Sequence, residues 1–82
     1  MDKEDIINTI NRLLIQEFEI DEKEISPGAR LKDDLGLESL DFVDIAKIIK
    51  KEFGITLKGK EVASINTMGN LYDYIYDCIQ KK

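Results

Sequence analysis

Histidine is absent from the 82 residues. Its absence removes imidazole general bases, Ser-His triads and His-ligated metal centres together. Cysteine occurs once, as Cys78. No internal disulfide and no paired-cysteine metal motif can form, and a lone thiol fits a reducing, cytoplasmic compartment. The longest aliphatic runs are three residues, such as Leu13-Leu14-Ile15, against the roughly 20 that a membrane-spanning helix needs. The start, Met1-Asp2-Lys3-Glu4-Asp5, is too acidic and too polar for a secretory signal. Positive charge is also scarce. Twelve bases face 17 acids, for a net charge of −5, so nucleic acid is excluded as a natural partner. What remains is 43% hydrophobic and 35% charged, the balance of a folded chain rather than a disordered one. The length predicts one domain over residues 1–82, with a total stability of roughly 4–12 kcal/mol.

The charge is unevenly spread. Residues 1–46 carry 13 acids and 5 bases, and residues 47–82 carry 4 acids and 7 bases. The first part is therefore −8 and the second +3, which fits either a solubilising surface with incidental asymmetry or an acidic docking edge near the middle of the chain with a basic region beyond it.

Helical periodicity dominates the pattern. A first helix is predicted from Lys3 to Glu17, with Ile6, Ile7, Ile10, Leu13 and Leu14 on one face and Asp2 as its N-cap. A long connection follows from Ile20 to Glu38, turned at Ser26-Pro27-Gly28 and anchored by Ile25, Leu31, Leu35 and Leu37. A loop that long in a small domain is usually functional or packed by its own side chains. A second helix is predicted from Ser39 to Glu52, stopped by Gly54. Phe42, Ile45, Ala46, Ile49 and Phe53 form its core stripe, which leaves Leu40, Val43 and Ile48 projecting away. A brief helix is expected within Lys60–Ile65. The last helix begins after Thr67 and buries Met68, Leu71, Tyr72, Ile75, Cys78 and Ile79, with Cys78 as a small core hydrophobe. The expected fold is all-α: a small four-helix bundle, three main helices plus one short one, with a long ordered loop between the first and second.

Most chemical motifs fail. A calcium loop centred on Gly36 would need ligands at Leu31 and Phe42, which neither can supply. Ser39 lacks the flanking glycines of a nucleophile elbow, since Leu37 and Asp41 stand there. No phosphate-binding glycine loop occurs. No catalytic residue and no metal ligand set is assigned.

The informative stretch is Asp33-Asp34-Leu35-Gly36-Leu37-Glu38-Ser39-Leu40-Asp41. It places a serine hydroxyl where a loop enters a helix, and a phosphate ester there would meet free N–H groups and the positive end of the dipole. Spacing alone favours plain N-capping by Ser39, whose loss costs ~0.5–2 kcal/mol. The surrounding residues resemble the acyl carrier protein signature, Asp-Asp-Leu-Gly-x-Asp/Glu-Ser-Leu-Asp. Ile25-Ser26-Pro27 and Leu31 upstream, and Glu52-Phe53-Gly54-Ile55 and Thr67 downstream, also look like that family. The resemblance covers about Ile6 to Ile79, in the same helix order.

The resemblance implies a carrier that is not an enzyme. A phosphopantetheinyl transferase would move 4′-phosphopantetheine from coenzyme A onto Ser39. The arm would then carry acyl groups for acyl-transferring and ketoacyl synthase-type enzymes of fatty acid, polyketide or related lipid biosynthesis. The second helix is the family's recognition helix, so the positions expected to meet partners are Asp34, Glu38, Leu40, Asp41, Val43, Asp44 and Lys47. A free-standing monomer is expected.

Two features depart from the family. Lys47, Lys50, Lys51, Lys58 and Lys60 replace the usual acidic run, which points to a changed partner set. Locally, lysines suit a helix C-terminus, and Asp44 and Lys47 have the spacing of an i, i+3 pair. Phe42 stands where a small polar residue is common, either as core packing or as a plug in the region where relatives shelter an acyl chain. Three other readings stay open: a D-alanyl carrier, a peptidyl or aminoacyl carrier, and a helical adaptor without a prosthetic group. The peptidyl form usually shows Gly-Gly-x-Ser, where this chain has Gly36-Leu37-Glu38-Ser39. The adaptor would use Leu40, Val43 and Ile48 as its patch.

Overall fold

The computed structural model describes residues 2–81. Four α-helices follow one another: α1 (Lys3–Phe18), α2 (Ser39–Phe53), α3 (Gly59–Ser64) and α4 (Met68–Gln80). A single 3-10 turn, Glu22–Glu24, interrupts the long loop between α1 and α2. The all-α bundle expected from periodicity is the fold observed.

Each main helix starts and stops for a local reason. Asp2 caps α1 by accepting a 2.9 Å bond from the Asp5 N–H, and Glu19 ends it in a left-handed conformation at φ 54°. Gly54 ends α2 at φ 71°, a conformation that costs glycine little. Thr67 caps α4 through its hydroxyl, which accepts from the Asn70 N–H at 3.1 Å. The observed bounds lie within one residue of those read from the hydrophobic pattern.

The core is entirely apolar. Ile6, Ile10 and Leu14 of α1 join Met68, Leu71, Tyr72 and Ile75 of α4 as its centre, with Ile45 and Ile49 of α2 closing the side. Each such aliphatic side chain contributes roughly 1.5–3 kcal/mol by leaving water. The α1–α4 seam is also tied by polar contacts at its edge. The Tyr72 hydroxyl donates to Asn11, and Lys3 pairs with Asp73. No polar or charged residue is buried among the described residues, so any chemistry must sit at the surface.

The sequence pattern needs adjustment on α2. Phe42 and Phe53 are half-buried rather than central, and Ile48 is half-buried rather than projecting freely. The 3.6-residue period places each of them at the margin of the buried face, where neighbouring elements cover only part of the side chain. Asp44 and Lys47 form no ion pair within 4 Å; exposed pairs of this kind gain too little to hold two mobile side chains together.

The long loop is packed, not loose. Ile20, Ala29, Leu31 and Leu37 are all buried. The radius of gyration, 11.6 Å, matches the roughly 11.7 Å expected of a compact chain this long, as it should with the loop folded against the helices.

Candidate functional site

The loop that leads into α2 is held by backbone hydrogen bonds to the start of α4. The Gly69 N–H donates to Pro27 O at 2.8 Å, Met68 N–H to Ala29 O at 3.0 Å, and Leu31 N–H to Asn66 O at 2.9 Å. Arg30 and Thr67 form the antiparallel bridge at the centre of this clamp. The approach is so close that a Cβ on Gly69 would lie 2.9 Å from the Pro27 carbonyl oxygen. Glycine is required there for contact rather than for φ.

Beyond the clamp the chain folds on itself. The Asp34 carboxylate accepts the Arg30 N–H at 2.7 Å, and the Asp34 and Leu35 N–H groups return to Arg30 O at 2.9 and 3.1 Å. Gly36 reverses the chain at φ 69°, and Leu37 drops into the core with its N–H on Leu31 O at 3.0 Å. The sequence Asp-Leu-Gly-Leu is thus a closed turn. It delivers the chain to α2 with a fixed direction.

Ser39 is the first residue of α2, and Glu38 is its N-cap. This overturns the plain N-cap reading of Ser39. The Asp41 carboxylate reaches back to the Glu38 N–H at 2.9 Å, so the cap position is settled one residue earlier. Ser39 is exposed, and its hydroxyl is left without a hydrogen-bond partner among the described residues. The hydroxyl is therefore presented outward, at the positive end of a 15-residue helix.

The other sequence-predicted site residues separate into two groups. Asp34 and Asp41 shape the loop and the helix start through the bonds just described. Glu38, Leu40, Val43, Asp44 and Lys47 are all exposed. Leu40 is 78% exposed and Val43 52%, the two large apolar side chains left most open to water among the described residues.

An open groove of about 730 Å³ begins at Ser39. Phe42 of α2, Val62 and Ala63 of α3, and Ile65 supply its apolar surface; Asn66, Thr67 and Asn70 supply amide and hydroxyl groups, and Arg30 and Lys32 stand on the loop side. Phe42 faces this groove, half-buried, rather than filling the core. The α3 and Asn66–Asn70 contributions were not found from sequence. Val62 and Ala63 stand on a helix of six residues, too short to show a period. The Glu61 carboxyl on the same helix is held below the usual carboxylate range, first by the Tyr74 phenol and then by the Lys58 backbone. Among the described residues no group of three or more acidic or thiol side chains could hold a metal ion.

The sequence matches the family described as "Phosphopantetheine attachment site" over residues 8–75. It is 32% identical over 73 residues to the acyl carrier protein of Thermotoga maritima, covering 89% of this chain and 90% of the relative. It is 30% identical over 77 residues to the acyl carrier protein of Rubrobacter xylanophilus, covering 94% and 95%. A third relative, the acyl carrier protein of Petrotoga mobilis, is 30% identical over 70 residues, covering 85% of this chain and 82% of its own. The chain belongs to the acyl carrier protein family.

The carrier works through a covalently attached 4′-phosphopantetheine, which supplies a terminal thiol that holds acyl groups as thioesters. Such a group needs an accessible hydroxyl with free space around it, and the outward Ser39 beside an open groove fits that need. Members of the family interact with synthases and transferases. No helix among the described residues is long and apolar enough to cross a membrane.

Proposed function

We propose that Ser39 is the attachment residue, and that the protein is a non-catalytic, monomeric carrier whose single domain, 1–82, delivers acyl groups to partner enzymes. The observation that carries this is the state of the Ser39 hydroxyl. It is exposed at the start of α2, the cap duty falls to Glu38, and the groove opens directly beside it. In the attachment step the Ser39 oxygen attacks the β-phosphorus of coenzyme A. The P–O bond to the nucleotide breaks, adenosine 3′,5′-bisphosphate leaves, and the serine proton passes to a base on the transferase. The amide groups of Asn66 and Asn70 suit an arm that is itself rich in amides.

The exposed positions Glu38, Leu40, Val43, Asp44 and Lys47 are the contact surface in this reading. Leu40 and Val43 give apolar anchors, and the charges steer approach. Asp34 and Asp41 contribute to the same acidic rim while holding the loop. A cytoplasmic setting suits a chain whose one thiol, Cys78, is free.

Intact-mass spectrometry tests the assignment. Incubated with coenzyme A and a broad-specificity phosphopantetheinyl transferase, the wild type gains one phosphopantetheine and Ser39→Ala gains none. A gain by the alanine variant would place the arm elsewhere. No gain by a folded wild type, even with its cognate transferase, would favour a binding module without a prosthetic group.

A further inference from the structure

The charges of α2 are unevenly divided along the helix. Residues 38–44 hold Glu38, Asp41 and Asp44 and no base, while residues 45–53 hold Lys47, Lys50 and Lys51 against one acid, Glu52, which stands about 100° around the helix from Lys51. Helical spacing puts Leu40, Asp44, Lys47 and Lys51 on one line, opposite the buried Ile45 and Ile49. The line is about 16 Å long, from the rise of 1.5 Å per residue. All three lysines are exposed. Lys50 is engaged by the Thr56 hydroxyl at 2.8 Å. Lys47 and Lys51 meet no carboxylate within 4 Å among the described residues, whose ion pairs are Lys3–Asp73 and Arg30–Asp33.

A favourable place at the helix C-terminus accounts for Lys50 and Lys51, which lie in the last turn, but not for Lys47. That effect fades within the last turn, and Lys47 lies a full turn earlier. Nor does internal pairing account for it, since Asp44 and Lys47 stay apart. Lys47 and Lys51 therefore keep their charge available to another molecule, in line with the apolar anchor Leu40, while Ser39 stands at the N-terminal end of the helix, about 100° around from that line.

We propose that this whole face is a two-sign docking surface, and that it fits partner enzymes bearing a cationic patch beside their active-site mouth and an anionic patch about 10–15 Å further on. The inference rests on Ser39 as the attachment residue, because that residue sets which end of α2 faces the partner's active site. A helix of one sign can slide along a patch of the other. Two signs fix the direction and register of docking, and a uniformly cationic partner face is repelled by the lysine half. The carrier is thereby selective among acyl-transferring enzymes through repulsion as well as attraction.

The test uses the full chain and a broad-specificity phosphopantetheinyl transferase with a uniformly cationic docking rim. The rate of Ser39 modification is measured for the wild type, for Lys47→Glu with Lys51→Glu, and for a control with the same charge change elsewhere, Lys23→Glu with Lys81→Glu. Circular dichroism confirms that each variant is helical. At roughly 20 mM NaCl the α2 variant should be modified with kcat/KM about tenfold above wild type, while the control stays within about twofold. At roughly 500 mM NaCl the difference should largely vanish. The same transferase, with the rim residues opposite Lys47 and Lys51 changed to glutamate, should prefer the wild type instead. Equal gains in both variants would reduce the effect to net charge and overturn the proposal. So would no gain in either, or a preference that does not reverse. A salt-sensitive wild-type dimer in sedimentation, abolished by the α2 substitutions, would assign the face to a second copy and overturn it too. Failure of the attachment reading looks different: Ser39 then stays unmodified in every variant.

Discussion

Gly69 does more for the site than its distance in sequence from Ser39 implies. Its N–H donates to Pro27 O at 2.8 Å, and a Cβ would sit 2.9 Å from that same oxygen. The crowding atom is backbone, so it cannot swing aside as a flexible side chain would. Gly69→Ala gains helix propensity of up to about 1 kcal/mol, but it must push the Pro27 turn away at a cost of about 1–3 kcal/mol. We expect a net loss of about 1–2 kcal/mol, read as a fall in the denaturation midpoint at constant m value. A stabilised Gly69→Ala protein would show that the clamp is not maintained in solution. Glu38 and Asp41 show a residue-scale effect of another kind. Glutamate is a modest capping side chain, yet it holds the cap position because Asp41 reaches back to its N–H. The spacing of Glu38 and Asp41 is visible in the sequence. Which of Glu38 and Ser39 would take the cap is not, because both precede the same apolar stripe.

The three long helices were legible because each has a repeating apolar face: 6/10/14 in α1, 45/49 in α2, and 68/71/72/75 in α4. The short helix α3 was legible only as a vague segment. Six residues make fewer than two turns, and glycine opens it. The groove beside Ser39 was not legible at all. It joins Arg30 and Lys32 to Asn66, Thr67 and Asn70 through main-chain hydrogen bonds, which leave no side-chain pattern in the sequence beyond the glycine at Gly69. The approach of Glu61 on α3 to Tyr74 on α4 is similarly cryptic. Burial pushes the Tyr74 phenol up, and the facing Glu61 carboxylate adds to the shift. A raised folded value means that the unfolded chain gives up this proton first, above an ordinary tyrosine value of about 10. Stability from this contact is complete below that pH and is lost as pH rises past it. Thermal unfolding followed across the alkaline range should show the melting temperature falling above about pH 10. Tyr74→Phe should make the fall shallower. An unchanged slope would assign the loss to Tyr72, whose phenol burial also pushes up.

At the scale of the molecule, the interior and the site share no side-chain chemistry. The buried set is apolar throughout, while Ser39 and the charged face of α2 stand in water. The sequence hinted at this division, since a chain without histidine has few groups with which to build an interior catalytic centre. The arrangement suits a protein that must present a cargo and then release it to several enzymes. The docking face can vary its charges without disturbing the core that holds α2 in place. It also makes a sharp prediction about Ser39. Were Ser39 the N-cap, its alanine variant would lose about 1 kcal/mol, lowering the melting temperature of a domain this size by roughly 4–8 °C. With Glu38 at the cap and the Ser39 hydroxyl unengaged, Ser39→Ala should melt within about 2 °C of the unmodified wild type while accepting no phosphopantetheine. A larger drop would mean that the serine hydroxyl does structural work in solution, and that attachment of the arm must then remove an interaction the fold depends on.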